Sequence, residues 1–502
     1  MTCVRSPAPA KLAGLILLLS MLMASQVSAV NISLERPVVE QLSRAEFEAA
    51  AGLPTACCDD ITELTQPGAE AVDVDTRYSL DTLFSAQAGS WIFESLVHNG
   101  LLRIASRYQP THPRALTLHK GNSSLAGLTR KLRNASILEL KGQDEAGRPI
   151  YHLHYPLIIG HNATLTVENA VLMLDASAAA VIVNAGSLSV IDAEITTLQA
   201  ELKGGTRFRP FILGWNGSRT YLERARLHRL GYNAYLSSGL TLGHHASLQR
   251  RGSSSLQMAD SVLERMEAGL TSDQAKVRIS TTVIEDSARY GIDFSAGDLQ
   301  LANSRIERTR YNAGVRIRNG GHIRLRDNLI SATHRDAVRI EGSVSSLSII
   351  NNFLAGSGGD GIRFQEVRAD NGPLILEKNR IRNSARSGIN SHHSGPLLAR
   401  GNDVVGNEHY ALRAVFAEQS SSQPLWLQDN VFANSGEASI STSGGAILGL
   451  SGNEFRARYV VQPVIRGQLA TTQTQILKSS KTPDQAIQIR QATFHPAQHQ
   501  RE

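Results

Sequence analysis

The segments Gly314-Val315-Arg316-Ile317-Arg318, Ala337-Val338-Arg339-Ile340-Glu341 and Gly361-Ile362-Arg363-Phe364-Gln365 share one pattern: a small residue, then aliphatic and polar positions in alternation. Their small residues lie 23 and 24 residues apart. Alternation with period two marks a strand with one buried face, and its return at a fixed interval marks a repeat. The pattern extends outward to Gly269-Leu270 and Gly291-Ile292 on one side, and to Gly388-Ile389, Ala411-Leu412 and Ser439-Ile440 on the other. A second series, Asn328, Asn352, Asn379, Asn402, Asn430 and Asn453, runs out of phase with steps of 24, 27, 23, 28 and 23 residues. Short strands separated by one Gly-containing and one Asn-containing turn per coil are what a right-handed parallel β-helix requires. Leucine-rich repeats have a similar period, but their Leu consensus is absent. Weaker members near Ala170, Ala193 and Ala225 suggest that the coils begin soon after residue 156.

The expected fold is therefore all-β: a right-handed parallel β-helix over residues 156–456, a small mixed region over 30–155 and a loosely ordered polar tail over 457–502. In the mixed region Ser43 and Glu46 form a capping box at the start of a short amphipathic stretch, Arg44 to Ala51. With 41% hydrophobic and 19% charged residues among 502, disorder throughout is excluded. At the amino terminus Arg5 and Lys11 precede an apolar run from Leu12 to Ala24, and Val27-Ser28-Ala29 offers a cleavage site. The run falls short of the ~20 residues that cross a bilayer, so the expectation is a signal peptide over 1–29, export to the periplasm or beyond, and no stable membrane insertion. The net charge of 51 − 45 = +6 then becomes 49 − 45 = +4, which suits an acidic partner; export excludes nucleic acid. Of the three cysteines, Cys57 and Cys58 remain after cleavage, too few for a disulfide framework.

If Ile292, Val315, Val338, Ile362, Ile389 and Leu412 point inward, their successors form an outward column: Thr271, Asp293, Arg316, Arg339, Arg363, Asn390 and Arg413. Two positions on, a parallel column reads Asp273, Ser295, Arg318, Glu341, Gln365 and His392. Stacked guanidinium groups repel one another and do not serve stability. A polymer with one carboxylate per sugar, charges ~5 Å apart, matches the ~4.8 Å coil spacing, and Arg grips carboxylates with paired hydrogen bonds. Arg316, Arg339, Arg363, Arg413, His392 and Tyr290 are the expected binding residues for an anionic polysaccharide.

Three strings, Phe208-Arg209-Pro210-Phe211-Ile212-Leu213 with Trp215, Leu230-Gly231-Tyr232-Asn233-Ala234, and Tyr290-Gly291-Ile292-Asp293, resemble the periplasmic mannuronan C5-epimerases of alginate-producing bacteria. The resemblance implies a right-handed β-helix enzyme converting mannuronate to guluronate within the polymer, and contact with exopolysaccharide export machinery. In that family the last string continues as Asp-Pro-His-Asp, whose histidine is taken as the base at C5, and an arginine about one coil later neutralises the substrate carboxylate. Here the string reads Asp293-Phe294-Ser295-Ala296, while Arg318, or Arg316 beside it, keeps the arginine. Removing a proton beside a carboxylate needs a cation against the carboxylate and a base at C5, and Ser295 is no base unaided. Arg318, Asp293 and Glu341 are the expected catalytic residues, with His392, Tyr290 and Tyr311 as further base candidates. No metal or cofactor is expected, and His244-His245 lacks a carboxylate at ligand spacing. The expected function is C5-epimerisation of mannuronate in an anionic exopolysaccharide, with a polysaccharide lyase as second choice. The alternative is an inactive relative that binds or escorts such a polymer in the periplasm.

Overall fold

A computed structural model describes residues 37–51, 76–82, 114–199, 208–232, 236–244, 246–370, 372–416, 424–443, 447–467, 469–480 and 484–490. The expected leader, Cys57-Cys58 and His245 lie outside the described residues. One larger sheet and one smaller sheet wind around a common core. The larger sheet covers two walls because long strands run through its corner: Ala268–Ser280 pairs by its first residues with Gly239–Leu242 and by its last with Ser255–Ala259. Gln274 and Ala296 turn that corner in the left-handed region. The smaller sheet is built from short parallel strands such as Arg305–Glu307 and Leu329–Ser331.

The expected inward column is continuous. Leu270, Ile292, Val315, Val338, Ile362, Ile389 and Leu412 stack in parallel register, all fully buried. Burial of each such side chain contributes about 1.5–3 kcal/mol, so every coil is held by its neighbours rather than by its own contacts. The asparagines form a buried ladder: Asn352 donates from Nδ2 to Asn379 Oδ1 at 3.0 Å, and Asn379 to Asn402 Oδ1 at 3.0 Å. Each Oδ1 also accepts the backbone N–H of the preceding rung, as Asn379 Oδ1 does from Asn352. Both polar ends are thus satisfied where no water reaches. Toward the amino terminus Ser304, Thr282 and Ser261 take over the column. Ala193 and Ala225 belong to this column as well, one rung apart through the Arg226 N–H to Ala193 O, with Ser261 on the next rung through the Val262 N–H to Ala225 O.

The solenoid reaches beyond the expected 156–456. Arg114–Ser124 already pairs in parallel with Leu157–Glu168, and Arg77–Thr82 lies antiparallel on its other side. At the far end the tail, expected to be loose, contains the helix Gln473–Ser479 and the strand Gln485–Arg490. That strand pairs antiparallel with Ile447–Ser451 and with Val38–Ser43 from the start of the chain. Polarity of the tail hid this, because a capping strand needs backbone pairing more than apolar side chains. Val38–Ser43 leads into the helix Arg44–Ala50, whose capping box is formed as expected by Ser43 and Glu46. Its Phe47 is fully buried and meets the Trp426 ring edge-on at 5.1 Å, and Arg44 pairs with Asp429 at 2.6 Å.

Candidate active site

The outward columns fall on one wall, as the alternation requires. Thr241, Thr271, Asp293, Arg316, Arg339, Arg363, Asn390 and Arg413 follow one another in register. Asp273, Ser295, Arg318, Glu341 and Gln365 form the second column beside them. His392 departs from the expected order: a bulge pairs Phe364 with Ser391 and Val367 with His393, so two residues, Gln365 and Glu366, oppose His392. The extra residue lets Val367 and His393 both turn inward, and His393 is buried against Ser391 Oγ at 2.6 Å. Burial pushes the His393 imidazole down to about 4, which leaves it neutral at physiological pH.

The arginines differ in what they hold. Arg316 binds Asp293 with two bonds, Nε to Oδ1 at 2.9 Å and Nη2 to Oδ2 at 2.6 Å, and its guanidinium lies 4.2 Å from the centre of the Tyr290 ring. Burial opposes its charge, but the bonds to Asp293 outweigh burial and raise its pKa. Arg339 pairs through Nε with Glu341 at 2.5 Å and through Nη2 with Gln365 at 2.6 Å. Arg363 stands 4.0 Å from Asp360, which also accepts from Asn390 at 2.8 Å. Arg413 is exposed. The side chains of Arg316, Arg339 and Arg363 keep 21%, 22% and 30% of their surface in solvent, so all three reach the outer face of that wall.

Arg318 is held most loosely of those near the Tyr-Gly-Ile-Asp string. Its Nη2 reaches Asp293 Oδ1 at 3.4 Å, and its buried Nε has no partner among the described residues. Two rungs from it on the column, beyond Ser295, Asp273 accepts a hydrogen bond from Ser295 and feels the charges of His244 and Arg318; burial outweighs these and raises its pKa. A partly buried carboxyl held toward its neutral form beside a histidine is a candidate proton-transfer group. Sequence reasoning placed Asp273 on the column but gave it no role, and treated His244 only as a metal ligand. The missing signal was three-dimensional: His244 lies just beyond the strand Gly239–Leu242, one rung from Asp273. Glu341, by contrast, is engaged by Arg339.

The Phe208 and Leu230 strings meet on the same wall. Phe208, Phe211, Trp215 and Leu236, with Tyr232 against them, cover the apolar outward residues Ile158, Val183 and Leu213. Gly231, in the left-handed region with φ 84°, donates to Pro210 O at 2.6 Å; a Cβ there would lie 2.3 Å from Ser238. These aromatics cover the amino-terminal end of the outward column; Thr241 is still buried there, and Thr271 is the first half-buried polar residue along it.

A family model described as right handed beta helix region matches residues 248–455. Among proteins of assigned activity, a mannuronan C5-epimerase of Pseudomonas putida is 23% identical over 316 residues, 60% of this chain and 55% of the relative. That of Pseudomonas aeruginosa is 26% identical over 218 residues, 40% of this chain and 39% of the relative. The mannuronan C5-epimerase AlgG of Azotobacter vinelandii is 25% identical over 318 residues, 59% of this chain and 58% of the relative. The matched segments thus span about half the length of these relatives or less. The crystal structure of a periplasmic alginate epimerase, AlgG, superposes with a TM-score of 0.68 at 16% identity, covering 81% of this chain and 99% of that one. The chain is a right-handed parallel β-helix. Its sequence is similar to those of the mannuronan C5-epimerases, the resemblance that the three strings carry.

Proposed function

We propose that the protein acts in the periplasm, after cleavage near Ala29, as a C5-epimerase of mannuronate residues in an alginate-like polyuronate. The observation that carries this reading is Arg318: a guanidinium with a buried Nε that has no partner among the described residues, on the same column as Asp273 two rungs away, whose carboxyl is held toward its neutral form. The C5 hydrogen of a uronate becomes acidic when a cation neutralises the adjacent carboxylate in the transition state. Arg318 takes that carboxylate. Asp293 braces Arg316 and Arg318 from below, and the Asp273–His244 pair supplies the proton transfer that Ser295 cannot. Glu341, tied to Arg339, positions rather than reacts. Arg339, Arg363 and Arg413 hold uronates of neighbouring sugars, and Tyr290 stacks under Arg316; His392, at the bulge, borders the same strip.

A second reading has its own support. Ser295 stands where the resemblance places the family's histidine, which favours a protein that binds or escorts the polymer, in contact with export machinery, without changing it. Proton NMR of polymannuronate incubated with the purified protein separates the two. Epimerisation yields guluronate signals, lost in Arg318→Ala and Asp273→Asn; β-elimination yields unsaturated ends. If neither product forms while the polymer is still retained, the protein is the binding module.

A further inference from the structure

On the smaller sheet, away from the arginine column, three side chains face one another across an antiparallel hairpin. His152 lies on the strand Pro149–Leu153 and His154 just past its end. Tyr151 and Leu153 between and beside them are buried, so both imidazoles project from the outer face. Glu139, on the strand Leu138–Gln143, is the direct partner of His152 in register. Glu139 Oε2 is 4.0 Å from His152 Nδ1 and 3.8 Å from His154 Nε2, and one ligand atom from each residue lies within 4.8 Å of the others. These separations are too long for hydrogen bonds. They surround a gap instead, and a tetrahedral ion with ~2.1 Å bonds would draw such atoms to about 3.4 Å.

The orientation of His154 is fixed from behind. Its Nδ1 stands 2.7 Å from Asp175 Oδ2, while Asp175 Oδ1 accepts from the Ser177 backbone at 2.9 Å and from Gln199 Nε2 at 2.6 Å. An imidazole that donates from Nδ1 to a carboxylate keeps its Nε2 lone pair free and aimed forward, the arrangement found behind metal-bound histidines. Lys141 takes the other oxygen of Glu139, Oε1, at 3.0 Å, and leaves Oε2 toward the gap.

We propose that Glu139, His152 and His154 bind a divalent transition-metal ion of the zinc type, with Asp175 orienting His154. Two imidazoles and one carboxylate suit such an ion rather than calcium or magnesium, which require oxygen donors. Three protein ligands leave a fourth position for water. The ion ties Leu138–Gln143, the last strand of the smaller sheet, to its neighbour, and through Asp175 to the following rung. The site is independent of the epimerase reading and of the arginine column.

The test uses untagged, chelator-treated full-length protein titrated with Co2+ and then Zn2+. Expected are one equivalent of Co2+ with the visible d–d absorption of a four-coordinate site, displacement by Zn2+, and a Tm raised by Zn2+. Glu139→Gln and His154→Ala abolish the absorption and the Tm rise, while far-UV circular dichroism stays that of the parent. Asp175→Asn weakens Zn2+ about 10- to 100-fold. Hydrogen exchange adds an arm that needs no variant: Zn2+ slows exchange over residues 138–153. Absence of the visible band, or Zn2+ affinity unchanged in His154→Ala, overturns the proposal.

Discussion

Asp273 is the residue whose chemistry and stability pull in opposite directions. Its pKa in the folded protein is raised, chiefly by burial, so the ionised form is penalised relative to the unfolded chain, where an aspartate titrates near ~3.9. The stability linked to this carboxyl is present below that unfolded value and is lost as pH rises through the folded one. Asp273→Asn is therefore expected to melt higher than the parent at pH 7, with the difference closing below about pH 4, read by thermal melts across pH. The same substitution is expected to lower epimerase turnover by 10²-fold or more, the usual contribution of a proton-transfer group. A variant that is neither more stable at pH 7 nor less active would remove Asp273 from the site.

Among the elements, the asparagine ladder sets the spacing of the coils. Asn379 receives both the Nδ2 and the backbone N–H of Asn352, and gives its own Nδ2 to Asn402. Asn379→Ala leaves buried groups of its neighbours unpaired, at about 1–3 kcal/mol each; the expected loss of stability in urea unfolding exceeds that of Asn453→Ala at the ladder's end. The sequence showed this element because Asn recurs at the coil interval, and it showed the arginine column because inward Val, Ile and Leu set the register of their outward neighbours. Its power stopped where a coil broke the count. The two-residue bulge at Gln365-Glu366 moved His392 out of order. The ion pair between Arg339 and Glu341 depends on side-chain rotamers rather than spacing. His244 comes to Asp273 from the preceding coil, about 30 residues away in sequence. The capping strand Gln485–Arg490 pairs through its backbone, and composition carries no trace of that.

The described residues form a parallel solenoid, and such a sheet presents unpaired N–H and C=O groups at each end. Here antiparallel strands are laid on the larger sheet at both ends: Arg77–Thr82 at one, Gln485–Arg490 with Val38–Ser43 at the other. A chain truncated before residue 484 would bare Ile447–Ser451. It is expected to associate end to end, seen as higher mass in sedimentation velocity, while the intact protein does not; a truncated chain of unchanged mass would show that the cap is dispensable. Pairing between Val38–Ser43 and Gln485–Arg490 also sets a schedule. Val38–Ser43 has its partner some four hundred residues further along the chain, so it stays unpaired until Gln485–Arg490 is available, and the far end of the spiral stays sticky until then. A holding chaperone that sheltered the segment around Val38 during that wait would therefore govern how much of this protein reaches its final form.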